Sequence, residues 1–482
     1  MAAHTVTVNA DGSFSPMWLD IHGDDVVEWQ FHDRSDTVVP ARWDGPFPAI
    51  CSAVTPYDPS DVNDFTGPMP VAPSGIFALG PVEKRPRPPE RRALTQDETW
   101  ENADISGVFV RLLWNEVHVG PDEFVWDVLD TEMDKAVANG KLFSVSFKAG
   151  HHGTPDWLFT DAGVPPLDFQ DGGSNIAAED CGVSMRLGSP CHPAYQEAYF
   201  LLLREVAAHI RSRNAWYRAL GYVKPSGANL FSHENRLPNR AHAGLACVNN
   251  VEVWATQGGF TPDALLEFYS LQTAVLACEF PEKSMSYMLI QAGFPQVSND
   301  GRYEGQPGTT DLQLPKPTVL TESILTQGRR QHGTRFVVQH NGLGPTATPN
   351  KWVGQEAAAG QITGFQTNNQ QKVGDPQQFE DTIRNALDNS DAVFLEIYEA
   401  RLHEVASDPQ AMTRPLADYA EDFHERRRTN WAHLGDPYPL THRHRFRRSV
   451  AADTGNEIFH YINGSKCGVG GNPNYGAIKL LP

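Results

Sequence analysis

The hydrophobic pattern is most regular between residues 107 and 158. Val108 to Leu113 is an apolar run interrupted only by Arg111, and it ends in Trp114-Asn115-Glu116. Phe124-Val-Trp-Asp127 and Leu129-Asp130 then open a helical stretch from Val128 to Ala138. Gly140 punctuates it, a second apolar run covers Leu142 to Phe147, and Thr154-Pro-Asp-Trp-Leu158 forms an aromatic-bearing loop. Apolar runs this short, joined by an amphipathic helix, read as buried parallel strands in a βαβ unit. Chemistry at the strand C-termini is the arrangement of a (β/α)8 barrel.

The rhythm continues downstream. Pro193 to Arg213 is a long amphipathic helix with Leu201, Leu202, Val206 and Ile210 on its apolar face, and Ala219 to Lys224 follows as a strand. Thr261-Pro262-Asp263 supplies an N-cap, a proline at the first helical position and an acid in the first turn, opening a helix to about Cys278. Strands follow at Ser284 to Gln291, Thr334 to His340, Gln361 to Gln366 and Ala392 to Tyr398. That makes seven. Ile76 to Leu79 offers itself as the missing first strand, unless it belongs to the region before it.

That region differs in kind. Thr5-Val-Thr-Val8, Phe14 to Ile21 and Gly23 to Phe31 are short alternating strands divided by Asn-Ala-Asp-Gly and His-Gly-Asp-Asp turns. The segment from Pro81 to Arg92 is rich in Pro, Arg and Glu and reads as a linker. The expected division is an N-terminal half-sandwich at 1–80, a linker at 81–92, a barrel at 93–435 and completing strands at 436–482.

Two resemblances sharpen this. The order "G-v-v-R-l-x-W", "f-W-D-x-L-D", "G-k", "P-x-W-L" resembles the second and third strands of β-galactosidase/cellulase-type retaining glycoside hydrolases, matched here by Gly107 to Trp114, Phe124 to Asp130, Gly140-Lys141 and Pro155 to Leu158. The resemblance implies a (β/α)8 barrel with a pair of carboxylates. The chain ends resemble the opening and closing strands of a cupredoxin (plastocyanin-like) domain: Phe14-Ser-Pro-Met-Trp-Leu-Asp-Ile21 and Gly23 to Trp29 at one end, Phe459 to Cys467 and Tyr475 to Ile478 at the other. This implies a β-sandwich into which the barrel is inserted. The copper ligands of that family are missing: Asp36 stands where a His is expected, and Gly468, Val469, Gly470 and Asn474 follow Cys467 without His or Met. Type 1 copper needs His2Cys, so no copper is expected, and an electron-transfer role falls away with it. Cys467 could instead bridge Cys51.

Composition narrows the partners. A net charge of -20 opposes nucleic acid. Basic clusters at Arg85 to Arg92, Arg426 to Arg428 and His442 to Arg448 read as solvated linker surface. No run of 18 apolar residues exists to span a membrane. Six cysteines permit three bridges, with Cys181 and Cys191 flanking a Gly/Ser/Pro loop suited to one. An exported protein, secreted or periplasmic, fits better than a cytoplasmic one, although no signal peptide precedes the first strand. Oligomeric state is open.

Glycoside hydrolysis needs one carboxyl to protonate the leaving oxygen and a second on the opposite face. In the resembling enzymes the acid/base Glu follows the fourth strand, which implies Glu234 here, although His233-Glu234 replaces the usual Asn-Glu. Their nucleophile ends the seventh strand, where this chain has Gln366, which cannot form a glycosyl ester. Period-two alternation puts Phe394, Glu396 and Tyr398 on one face of the next strand. A Glu in such a run is costly to bury without a role or a partner, so Glu396 is the second candidate. Glu399, Glu252 and Glu116 stand behind it, and an ion pair of Glu396 with an interior Arg such as Arg111 is the structural alternative. Trp114, Asn115, His151, His152, Trp157, Asn229, Trp254, Gln291, Gln339, Asn341, Gln366 and Tyr398 fall at or just after strand ends, the aromatic and amide mixture that sugar clefts use. Adjacent His151 and His152 lack chelating spacing, so no metal is expected. The function expected is cleavage of a poly- or oligosaccharide without cofactors; the alternative is a carbohydrate-binding pseudo-enzyme.

Overall fold

In the computed structural model, side chains are described for residues 73–81, 94–170, 181–240, 247–290, 293–306, 314, 316, 318–346, 351–358, 361–368, 377–388, 392–399, 402, 416–420, 422 and 423, with backbone strands alone described near both termini. Eight strands close a barrel: β1 (Gly75–Leu79), β2 (Gly107–Leu113), β3 (Leu142–Lys148), β4 (Leu220–Val223), β5 (Ser284–Leu289), β6 (Phe336–Leu343), β7 (Thr363–Thr367) and β8 (Phe394–Tyr398). Every neighbouring pair is parallel, and β8 returns to β1. The strand missing from the periodicity is β1, so the barrel starts before the 81–92 segment rather than after it.

Helices fill the connections: α1 (Asp97–Glu101), α2 (Asp127–Ala138), α3 (Pro193–Arg211), α4 (Pro262–Glu279), α5 (Pro317–His332), α6 (Lys351–Ala358) and α7 (Pro376–Ser390). In α3 the residues Tyr195, Tyr199, Leu202, Val206 and Ile210 are buried, a 3–4-residue spacing that turns one face to the strands. The α4 cap is as expected: the Thr261 side chain accepts from the Ala264 N–H at 3.1 Å, and Pro262 occupies the first position.

Alternation sends every second strand residue inward, so the barrel fills in layers. Phe77, Tyr222, Val337 and Phe394 form the lower layer. The Phe394 ring fills the space beside Gly364, where an added Cβ would lie 1.9 Å from a ring carbon, which is why β7 carries glycine there. Leu79, Phe109 and Met288, with Tyr398 against them, form an upper apolar cluster. Between and above these lie Arg111, Ser146, Lys148, Lys224, Ser286, Gln339, Asn341, Gln366 and Glu396. A (β/α)8 interior is usually dominated by branched apolar side chains; this one turns polar at its C-terminal end.

Two long loops build the rim. After β3, Leu167–Asp171 pairs antiparallel with Val183–Leu187. After β4, the chain reaches the short helix Asn250–Thr256, whose Asn250 accepts from the Gln170 N–H at 3.0 Å. A Cys181–Cys247 disulfide ties the two loops together. The bridge expected between Cys181 and Cys191 is therefore not formed: Cys191 is a free thiol, and Cys181 finds its partner 66 residues away, a pairing that tertiary structure decides. Cys278, expected to be merely buried, is also disulfide-bonded.

At the N-terminus, Ala3–Val8 lies between Phe14–Ser15, antiparallel to it, and Val26–Phe31, parallel to it. At the C-terminus, His460–Ile462 pairs with Ser465–Cys467. Strands thus form near both termini, in two separate sheets among the described residues. The expected copper-ligand positions, the Cys51–Cys467 bridge and the three basic clusters lie outside the described side chains, as does Gln291.

Candidate active site

Glu234 is carried by the loop that leaves β4, and that loop is fastened residue by residue. Gly227, at φ +97°, makes the turn, and its open α-carbon lies where a Cβ would be 2.9 Å from the Tyr199 ring. Asn229 then uses both ends of its amide. Its oxygen accepts from Ser226 Oγ (3.0 Å) and from the N–H groups of Gly227 (3.0 Å) and Ala149 (3.1 Å). Its nitrogen donates to the carbonyls of His233 (2.9 Å) and Glu234 (3.0 Å). Asn229, expected to bind sugar, is instead spent on holding Glu234 in place.

The Glu234 carboxylate is half-buried at the mouth of the barrel. Its Oε1 accepts from Asn341 Nδ2 at 3.1 Å, with Gln366 Nε2 at 3.4 Å. Asn341 Oδ1 in turn accepts from Gln339 Nε2 at 2.9 Å, and the same Gln339 nitrogen donates to Glu396 Oε2 at 2.7 Å. Two amides from β6 therefore link the two carboxylates that the sequence put forward.

Glu396 has no exposed surface. Its Oε1 sits 2.5 Å from the Lys224 ammonium and accepts from the Tyr222 hydroxyl at 2.6 Å. Gln339 Oε1 is shared between Lys224 (2.8 Å) and Ser286 (2.6 Å). The ammonium also lies 4.1 Å from the centre of the Phe109 ring. Burial brings the Lys224 amine down to about 8 against the pull of Glu396. The ion pair of Glu396 is therefore made with Lys224. Arg111, the partner foreseen, donates Nε to the Gly80 carbonyl at 2.8 Å and lies 5.6 Å from the Tyr398 ring. Tyr398 is half-buried, within 3.4 Å of Gln366, and burial with the Glu234 charge raises its hydroxyl above the ordinary range.

His233 was passed over at sequence level except as a neighbour of Glu234. It is buried, with Nδ1 2.7 Å from Ser146 Oγ and its ring edge-on to Phe109. Burial, reinforced by the charges of Arg111, Lys148 and Lys224, takes it well below the ordinary imidazole value, so the ring is neutral at pH 7.

The structure thus gathers Glu234, Glu396, Gln339, Asn341, Gln366 and Tyr398 in one network. It disperses the tryptophans. Trp114 packs edge-on between Tyr195 and Tyr199 of α3, Trp157 packs on His118, and Trp254 stacks on Phe169. Each indole N–H is satisfied internally, by His118 Nδ1, the His118 carbonyl and the Pro238 carbonyl. They are core residues. Asn115 donates to the His152 carbonyl at 2.9 Å. His151 and His152 stand half-buried on the rim with their rings 3.6 Å apart, and His151 meets Phe231 edge-on. Phe231 is 37% exposed at this rim, an aromatic surface the sequence did not single out.

The other acids have separate employment. Glu399 accepts from the Gln96 N–H (2.7 Å) and Thr99 Oγ1 (2.9 Å), holding the start of α1. Glu252 is exposed on its short helix. Glu116 is buried in the helical turn after β2, where it accepts from the Leu113 N–H at 3.4 Å. Among the described residues, no group of three His, Cys, Asp or Glu is arranged to hold a metal, and no helix is long and apolar enough to cross a membrane.

No protein-family model matches the chain, and none of the curated proteins is similar to it. Similar solved structures include the catalytic domain of a β-amylase from Paenibacillus polymyxa (TM-score 0.46, 11% identity, covering 72% of this chain and 98% of that one). They also include a β-galactosidase from the psychrophilic Marinomonas ef1 (TM-score 0.41, 11% identity, covering 76% of this chain and 61% of that one).

Proposed function

We propose that this protein is a glycoside hydrolase that cleaves an O-glycosidic bond of a poly- or oligosaccharide at the C-terminal mouth of the barrel. One observation carries the reading: a half-buried carboxylate, Glu234, held by amides at the barrel mouth and joined through Asn341 and Gln339 to a second carboxylate, Glu396. Glu234 protonates the leaving oxygen. Half-burial and the Asn341 contact keep its Oε1 oriented while part of the group faces the opening. Glu396 is the second carboxylate, lying deeper, where low dielectric strengthens its action on the positive charge that develops on the sugar. Phe231, His151 and Tyr398 supply aromatic surface and hydrogen-bonding edges around the opening.

A second reading has its own support. Both oxygens of Glu396 are engaged, by Lys224, Tyr222 and Gln339, and β7 offers Gln366 in place of a carboxylate. A barrel so built could hold a saccharide without cleaving it. The experiment is a turnover screen of aryl glycosides and polysaccharides with the wild type, Glu234→Gln and Glu396→Gln. Loss of two or more orders of magnitude in kcat on both substitutions supports the paired mechanism. Loss on Glu234→Gln alone makes Glu396 a structural ion. No turnover with saccharide binding retained in all three proteins supports the binding module.

The Cys181–Cys247 bridge supports an exported protein, because disulfides persist in oxidising compartments. The strands at both chain ends are compatible with the proposed cupredoxin-like sandwich beside the barrel.

A further inference from the structure

Among the described residues, two cations at the barrel mouth have no carboxylate in ion-pair contact. Lys148, the last residue of β3, is 1% exposed, and its ammonium donates one hydrogen bond, to the Phe231 carbonyl at 3.2 Å. Arg111, on β2, is half-buried and gives both Nε and Nη2 to the single carbonyl of Gly80. Among the described residues, no carboxylate lies within 4.0 Å of either, in contrast to Lys224 with Glu396. Glu116 acts on Lys148, and Glu234 on Arg111, from beyond that distance.

The strand register sets the two cations side by side. Arg111 is opposite Ser146, and Leu113 is opposite Lys148, so the charges sit on adjacent strands, one inward position apart. His233 is bonded to Ser146, the residue opposite Arg111, and feels the charge of both cations. Its Nδ1 is taken by Ser146, whereas its Nε2 has no hydrogen-bond partner although the residue is only 3% exposed. Leaving a buried polar atom unmade costs about 1–3 kcal/mol, and a buried charge without a counter-charge costs more. Three such deficits in one part of the barrel mouth have one common remedy, an anion that accepts from Lys148 and Arg111 while meeting the imidazole Nε2–H. The protein carries a net charge of -20, so this local positive corner is set against the field of the whole molecule.

We propose that this corner binds an anionic substituent of the saccharide, a carboxylate or a sulfate, so that the substrate class is an acidic glycan. The proposal rests on the reading of the barrel mouth as a saccharide site. Lys148 supplies a point charge and the Arg111 guanidinium its remaining N–H groups, while the sugar ring extends toward Glu234 and Phe231.

The test is calorimetric titration of the full chain at fixed ionic strength with glucuronate, galacturonate, glucose 6-sulfate and the neutral parent sugars. The acidic sugars are expected to bind at least tenfold more tightly than the neutral ones. Tighter binding of the uronates identifies carboxylate as the anion, and tighter binding of the sulfated sugar identifies sulfate. Lys148→Gln, which keeps a donor for the Phe231 carbonyl, is expected to weaken acidic-sugar binding about ten- to a hundredfold and leave neutral-sugar binding unchanged. Lys148→Arg is expected to restore part of the preference. Equal binding of acidic and neutral sugars by the wild type, or no binding of either, overturns the proposal whether or not the variants fold. So does a preference that survives Lys148→Gln. Turnover of aryl glucosides against aryl glucuronides separates the two readings. Hydrolysis without acid preference sinks only the substrate class, and acidic-sugar binding without hydrolysis of any glycoside sinks only the enzyme.

Discussion

Lys224→Met tests whether the centre of the barrel is held by a true ion pair. The substitution removes the ammonium from Glu396 Oε1, where it sits at 2.5 Å, and from Gln339 Oε1 at 2.8 Å. The carboxylate stays behind with Tyr222 and Gln339 as its partners and no exposed surface. Removing one member of a buried pair costs about 3–5 kcal/mol, because the other charge is left uncompensated. The reverse substitution, Glu396→Gln, should cost less. Burial already takes the Lys224 amine down to about 8, so losing its counter-ion lets it shed the proton at pH 7 for about 1–2 kcal/mol. A Lys224→Met/Glu396→Gln double variant removes both charges and should recover at least about 2 kcal/mol of the first loss.

Equilibrium denaturation under non-reducing conditions, which preserve the disulfides, reads all four proteins. The reasoning fails if Lys224→Met costs less than about 1 kcal/mol, or if the two single effects simply add, since independent sites add and coupled ones do not. The same proteins bear on catalysis. A Glu396→Gln variant that keeps its stability and loses turnover makes the carboxylate a participant in the reaction. A variant that loses neither makes the pair a packing device.

The buried lysines give a pH dependence of definite sign. Burial lowers Lys148 and Lys224 to about 8 and Lys283 to about 7, from an unfolded value of about 10.4. The unfolded chain therefore binds more protons than the folded one across that interval, so stability rises with pH, by about 1.4 kcal/mol per unit for each lysine at most. Unfolding free energy should climb from about pH 8 to about pH 10 and fall beyond, where the buried tyrosines Tyr195 and Tyr222, raised by burial, keep protons that the unfolded chain gives up. A flat or falling profile between pH 8 and pH 10 contradicts this assignment. The rim disulfide closes a 66-residue separation, and chain entropy puts its loss at about 4 kcal/mol. Paired Cys181→Ser and Cys247→Ser substitutions, which spare the bridge at Cys278, should show that loss in denaturant, and a change below about 1 kcal/mol would mean that the loops are held by their other contacts.

How much of this was legible in the chain depends on which physical signal each feature leaves. Strands buried on both faces leave apolar runs, so Val108 to Leu113 and Leu142 to Phe147 announced a parallel sheet. Gly75–Leu79 left the same signal in only five residues, next to a Pro/Arg-rich stretch, and was ambiguous until its pairing with β8 and β2 was seen. The directions of the tryptophans were not legible, for a different reason. Standing after a strand end says nothing about direction, and Trp114 begins a helical turn that carries its ring outward onto α3. Direction is set by period two. Counted through β8 it puts Phe394, Glu396 and Tyr398 on one face, and that face is the inner one, against Tyr222, Lys224 and Gln366. Counted through β4 from Tyr222 it puts Lys224 inside, and through β2 and β3 it puts Arg111, Ser146 and Lys148 there. A lysine and a glutamate on the inner faces of two strands of one barrel point to an ion pair before any coordinates exist. What alternation cannot supply is distance around the barrel, which decides that Glu396 meets Lys224 rather than Arg111, and so leaves Arg111 and Lys148 facing the mouth with no carboxylate among the described residues in contact with them.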